Sequence, residues 1–173
     1  MGMMKREGIT NYRTRLKLLK SSLPRLVVRK TDNQIISQIV EYAASGDRTL
    51  ASVHSTELKK YGWPFNPKNI PSAYLSGVLL AKKSSVKEAV LDKGSHVLKK
   101  DSFIYYVVRG AQDGGLDLHA TELPVSENRM FGEHIANYFG TGKGSQFSAI
   151  GDKVKNIRKE MENVIEKLGE HGK

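Results

Sequence analysis

With 173 residues, 39% of them hydrophobic and 27% charged, the chain can close one sizeable core and is short for two, so a single domain with appendages is expected. Mean hydropathy is -0.43, no apolar run reaches membrane-spanning length, and residues 1–6 lack the apolar core of a secretory signal; a soluble protein that is neither cleaved nor exported is expected. Cysteine is absent, which excludes disulfide staples and thiolate metal sites and fits a reducing cytosol.

The formal net charge of +10 is not spread evenly. Residues 1–31 hold nine Lys or Arg (Lys5, Arg6, Arg13, Arg15, Lys17, Lys20, Arg25, Arg29, Lys30) against Glu7 alone. Residues 32–144 carry 13 basic and 12 acidic residues, and residues 145–173 carry six and five, so the rest is nearly neutral. Clustered surplus of this kind is the footprint of a polyanion partner. An anionic membrane would need a continuous bulky apolar face beside the basic one, and only Leu16, Leu18, Leu19 and Leu23 precede Pro24. Nucleic acid fits better.

In chain order, residues 1–10 are charged and poor in apolar groups, and are expected to be mobile until bound. Thr10 or Asn11 can cap a short helix to Lys20, with Tyr12, Leu16 and Leu19 on one side and Arg13, Lys17 and Lys20 on the other. Pro24 ends it. Residues 25–30, 34–42 and 49–55 read as three strands of an antiparallel meander with turns at 31–33 and 45–47; Leu26 and Val28 point to one face, Arg25, Val27 and Arg29 to the other. The stretch 57–67 reads as a loop bearing the sole tryptophan. A helix starts at Asn69-Ile70-Pro71 and runs to about Lys83, with Ala73, Gly77 and Ala81 as a small-residue seam that lets it lie close on a sheet. Residues 88–92 form a short strand, and strand, crossover helix, strand implies parallel pairing. A polar loop (94–101) leads to a helix over 102–112 stopped by Gly114-Gly115, a possible short strand at 116–118, a helix over 127–139, a flexible run at 140–145 and a last helix over 152–168 stopped by Gly169. The divisions are a basic arm (1–24), an α/β domain (25–139), and a linker with a C-terminal amphipathic helix (140–173).

Other motifs are weak. Gly140-Thr-Gly-Lys-Gly-Ser follows a helix instead of a strand and has Gly144 after its lysine, so a linker is the reading, not a phosphate loop. The five histidines show no zinc-protease spacing. The strand order also matches ribonuclease H-like nucleases, which hold two metal ions between carboxylates on adjacent strands. Here Arg29-Lys30 stand where an aspartate is required and only Asp92 lies on the fourth strand, so Asp92 reads as a strand terminator. A metal-dependent nuclease and a generic polyanion-binding module remain as alternatives; no catalytic residue, metal or cofactor is assigned.

Arg forks onto phosphate, and aromatic planes stack on unpaired bases. Tyr12, Arg13, Arg15, Lys17 and Lys20 on the arm and Arg25, Arg29 and Lys30 on the first strand are therefore the candidate RNA contacts, joined by Asn33, Lys60 and Trp63. Trp63, with Tyr61, either stacks on a base or plugs the core edge.

A family resemblance rests on Tyr12 with Arg15-Leu-Lys-Leu-Leu-Lys-Ser21, Pro24-Arg-Leu-Val-Val-Arg-Lys30, Gln38-Ile-Val40, Gly46-Asp with Thr49-Leu, and Glu57-Leu with Lys60-Tyr-Gly-Trp63. It continues in Asn69 with Pro71-Ser-Ala-Tyr-Leu75, Glu88-Ala-Val-Leu-Asp92, Gly110-Ala with Gly115-Leu, and Gly132-Glu-His-Ile-Ala136. In these blocks the chain resembles the large-subunit ribosomal protein L eighteen family in its archaeal and eukaryotic form. The resemblance implies a three-layer α/β domain with a mixed sheet and no enzymatic activity. It also implies binding to 5S ribosomal RNA, contact with 23S ribosomal RNA and neighbouring ribosomal proteins, and a place in the central protuberance. Lys93 and residues 94–101 depart from the family's usual pattern, and residues from Gly140 onward follow it loosely.

Overall fold

The β-branched runs and the turns between them specify an antiparallel meander of β1 (Arg25–Lys30), β2 (Ile35–Glu41) and β3 (Arg48–His54). The computed structural model describes residues 12–119, 123–141 and 150–170. In β1, Leu26 and Val28 are wholly buried and Arg29 is exposed, the alternation of a strand with one core face. The register shifts between Ile39 and Val40, which pair with Ala51 and Thr49, so the extra residue Leu50 bulges β3; Ile39 and Val40 are both buried. β4 (Val90–Asp92) is parallel to β1, giving the mixed order β3-β2-β1-β4. The expected parallel pairing is present, with β1 as the neighbour, because the crossover carries the chain past β2 and β1 to the far edge. Residues 116–118 add a single parallel bridge, Asp117 to Glu88.

That crossover is α2 (Ile70–Lys83), capped by the Asn69 side chain, which accepts a hydrogen bond from the Ser72 backbone N–H at 2.8 Å. Every residue from Pro71 to Leu80 is buried. α2 packs on β2 and β3 on one side and on α3 (Phe103–Asp113) and α6 (Ile157–Glu170) on others, so the layers run sheet, α2, outer helices. The small-residue seam serves the helix pair and not the sheet. A β-carbon on Gly77 would lie 2.1 Å from the Val107 carbonyl oxygen, and one on Gly110 would lie 2.0 Å from that of Tyr74. Two helix backbones approach this closely only where both lack side chains.

Several elements differ from expectation. Residues 55–61 form a 3₁₀ segment (Ser55–Tyr61) in place of a loop start, with the His54 N–H donating to the Glu57 carboxylate at 2.9 Å. The helix expected over 127–139 is two, α4 (Glu127–Met130) and α5 (Glu133–Gly140), broken at Gly132, whose φ of +76° takes it out of helical geometry. The last helix begins after a 3₁₀ turn (Gly151–Val154) and runs through Gly169, which does not stop it. Val154 in that turn and Ile157, Met161, Val164 and Leu168 in the helix are buried in the common core, and Ile165 packs against it partly buried. Residues 1–11 and most of the 140–145 run lie outside the described residues.

Candidate nucleic-acid interface

α1 (Tyr12–Leu19) buries no residue fully and is held to the sheet by charge. Asp47, in the turn before β3, accepts from Arg15 at 2.9 Å and from Arg25 at 2.6 Å, and Arg25 also donates to Asp92 at 2.8 Å. Asp92, the last residue of β4, in turn accepts the Gly94 N–H at 2.9 Å. The result is a chain of alternating charges, Arg15, Asp47, Arg25, Asp92, that ties the arm helix to β1 and β4. The Arg25 side chain is 6% exposed and those of Asp92 and Asp47 are 14% and 26% exposed. Pairs this sheltered bind through short charge-assisted hydrogen bonds, and removing one partner strands the other.

This docking fixes which side of α1 is open. Arg15, Leu18 and Leu19 are half-buried; Tyr12 and Leu16 are 77% and 62% exposed and share the outer side with Arg13, Lys17 and Lys20. The apolar and basic residues of the arm are thus not on opposite sides, as the spacing alone suggests. Arg13, Lys17 and Lys20 have no carboxylate partner among the described residues.

The candidate residues fall into two groups. Tyr12, Arg13, Arg15, Lys17, Lys20 and Arg25 lie at the edge where β1 begins. Arg29, Lys30 and Asn33 lie where it ends, and Lys60 is exposed in the 3₁₀ segment that follows β3. The length of β1 separates the groups by about 17 Å. Two candidates are corrected. Arg25 is 5% exposed and committed to two carboxylates, so it organises the site from within. Trp63 is 1% exposed, donates its ring N–H to Ser72 Oγ at 2.7 Å and packs against Phe65 at 4.8 Å between centroids. Its ring plugs the core and is closed to a base. From sequence Asp92 reads as a strand terminator and Asp47 as a turn residue; that Asp47 positions Arg15 and Arg25, and Asp92 Arg25, is visible only in the structure. The register of the β2–β3 turn against β1 is the signal that reveals Asp47.

The model of the family described as "Ribosomal large subunit proteins 60S L5, and 50S L18" matches residues 3–101. A relative from Korarchaeum cryptofilum (strain OPF8), named "Large ribosomal subunit protein uL18", is 43% identical over 176 residues, covering 95% of this chain and 90% of its own. The chain belongs to this family. It is a structural ribosomal protein of the large subunit and not an enzyme. Asp92 accordingly serves Arg25 and the turn at Gly94, as a strand terminator would. No described helix is long and apolar enough to cross a membrane.

Proposed function

We propose that the protein binds 5S ribosomal RNA and helps attach it to 23S ribosomal RNA in the central protuberance of the large subunit. The observation that carries this reading is the open side of α1, where three cations with no carboxylate partner among the described residues flank an exposed Tyr12 on a helix anchored by Asp47. Arg13, Lys17 and Lys20 neutralise phosphates, and Tyr12 stacks on an unpaired base or packs on a sugar. Arg15 and Arg25 set the helix against the sheet, which gives the contact a fixed orientation. Arg29, Lys30 and Asn33 at the far end of β1, and Lys60 in the 3₁₀ segment, supply further contacts. Family membership supports a ribosomal partner, and the resemblance in the arm and β1 supports 5S RNA.

The test is binding of a 5S RNA transcript to the full chain and to a chain lacking residues 1–20. Deletion is expected to weaken binding by two orders of magnitude or more at moderate salt, since about five phosphate contacts are lost. Unchanged affinity after deletion refutes the arm assignment. Equal competition by an unrelated duplex shows a generic polyanion binder.

A further inference from the structure

The loop that leaves β4 bears on function in a way that its sequence alone does not suggest. β1 and β4 are parallel, so residues 93–101 emerge at the same edge as Arg29 and Lys30. Lys93, Lys99 and Lys100 are exposed, as are Arg29 and Lys30. None of the five has a carboxylate partner among the described residues. Among the described residues the nearby acids are engaged, Asp92 by Arg25 and Asp101 by Tyr106 and Ser126, with Asp32 in the β1–β2 turn exposed.

The cluster is built, not merely coincident. The Arg29 guanidinium lies over Gly94, within 3.0 Å of where a β-carbon would stand, and its NH1 donates to the Val28 carbonyl at 2.9 Å. Gly94 adopts a φ of +57°, so the loop turns here under an arginine and a larger residue would be strained as well as crowded. Lys30 Nζ sits 5.3 Å from the centre of the Phe103 ring, and His96 meets the same ring edge-on at 5.7 Å. Backbone bonds from His96 to Lys93 and from Ser102 to Lys99 close both ends of the loop. The end of β1 and the 93–101 loop thus bring five exposed cations to one end of the sheet, with Lys30 over the half-buried Phe103 ring. The sheet between this group and α1 offers Val27, Ile36, Gln38, Leu50 and Ser52, all uncharged.

We infer that this edge, with Lys93, Lys99 and Lys100 joined to Arg29 and Lys30, is a second site for the phosphodiester backbone of RNA, holding a segment other than the one on α1. The inference rests on the two-RNA reading above and names the surface that holds the second. Five exposed cations gathered at one end of the sheet favour a polyanion backbone, and the neutral stretch between the two edges separates their ligands.

The test uses the full chain with Lys93, Lys99 and Lys100 changed together to Gln, beside a second triple variant with Arg13, Lys17 and Lys20 changed to Gln. Fluorescent 5S RNA is titrated first; labelled 23S RNA fragments are then added to chain saturated with 5S RNA. The loop variant is expected to keep 5S affinity within about twofold and to lose capture of the 23S fragments by tenfold or more at moderate salt, with the arm variant showing the reverse. A loop variant that loses 5S binding as strongly as the arm variant overturns the inference, because the two edges then form one site. So does one that captures both RNAs normally, which leaves the edge to an acidic protein surface. Circular dichroism melting of each variant separates loss of contact from loss of fold; should the triple variant melt early, the three single Lys→Gln variants are each expected to cut capture of the 23S fragments about threefold at unchanged melting, and unchanged capture in all three overturns the inference. Wild-type chain that takes 23S fragments through the loop but not 5S RNA refutes the 5S reading and leaves this one standing.

Discussion

The salt bridge between Arg15 and Asp47 makes a sharp division among four neighbouring cations of the arm. Arg13, Lys17 and Lys20 are exposed without carboxylate partners among the described residues, whereas Arg15 spends its charge on Asp47 at 2.9 Å. Each phosphate neutralised contributes roughly 0.7 to 0.9 to the slope of log affinity against log salt. Changing Arg13, Lys17 and Lys20 together to Gln should therefore lower that slope by about 2 to 2.7. Between about 50 and about 200 mM salt, the wild-type chain should lose roughly 20- to 40-fold more affinity for 5S RNA than the triple variant loses. Single changes at these positions should each account for about threefold over the same range. Arg15→Gln is different. It removes a charge already balanced within the protein, so it should weaken binding by loosening α1 while leaving the slope where it was. Anisotropy titrations of a labelled 5S transcript at four salt concentrations give both quantities. An Arg15→Gln slope that falls as far as that of Lys17→Gln would show that Asp47 releases Arg15 to the RNA, and the anchoring argument would fail.

Stability predictions follow from the same structure. Gly→Ala inside a helix ordinarily stabilises by up to about 1 kcal/mol, and Gly169→Ala in α6, where a β-carbon meets nothing within 4 Å, should raise the melting temperature slightly. Gly77→Ala and Gly110→Ala should instead lower it by several degrees, because the added methyl meets a carbonyl of the facing helix and overpacking costs about 1–3 kcal/mol or more; melting curves that rise for either variant would contradict the backbone contact. Trp63→Phe should cost about 1–3 kcal/mol in denaturant unfolding through loss of the bond to Ser72 and of ring volume, with 5S affinity unchanged. The Asp101 carboxyl is held below the usual carboxylate range by the Tyr106 hydroxyl at 2.6 Å, then by Ser126 and the Arg129 charge, and burial with that same carboxylate pushes the Tyr106 phenol up to about 12. A lowered folded value means the contribution is complete above the ordinary range and is lost as pH falls through the folded value. Asp101→Asn should therefore be less stable than wild type at pH 7, and thermal melts should show the gap closing below about pH 4.

Much of this fold is legible in the sequence because local signals and burial agree. β1 to β3 follow from alternation and turn residues, and α2 follows from Asn69, Pro71 and a continuous apolar run, each within a residue or two of its observed bounds. The misreadings have a common cause, which is a tertiary partner invisible to a one-dimensional pattern. The seam at Ala73, Gly77 and Ala81 is real, but only the position of Gly110 and Gly114 reveals that a helix fills it. Gly132 breaks a helix at a place where a β-carbon would strike Ile157, some 25 residues later in the chain. Trp63 reads equally as a base-stacking or a core residue until Ser72 and Phe65 close around it. In the candidate site, residue types were legible and their grouping was not. Arg25 and Arg29 alternate correctly along β1, yet one is enclosed by Asp47 and Asp92 and the other reaches the opposite edge.

Charge makes the same point about function. Summed along the chain, residues 32–144 are almost neutral, which suggests that the basic arm alone meets RNA. The fold redistributes that balance. Two acids of this segment, Asp47 and Asp92, are consumed in silencing Arg15 and Arg25, so the amino edge of the sheet is less positive than its composition. Three of its lysines, Lys93, Lys99 and Lys100, are delivered by parallel pairing of β4 to the edge that already carries Arg29 and Lys30, so that edge is more positive than its neighbourhood in sequence. Screening confines each group's influence to about 8–10 Å at physiological salt, well under the length of β1, and the two edges therefore act as separate electrostatic sites. On the two-RNA reading proposed above, this arrangement holds the segments in a fixed relation. The sheet sets the distance between them, and the buried Arg25 network, through Asp47, ties α1 to it.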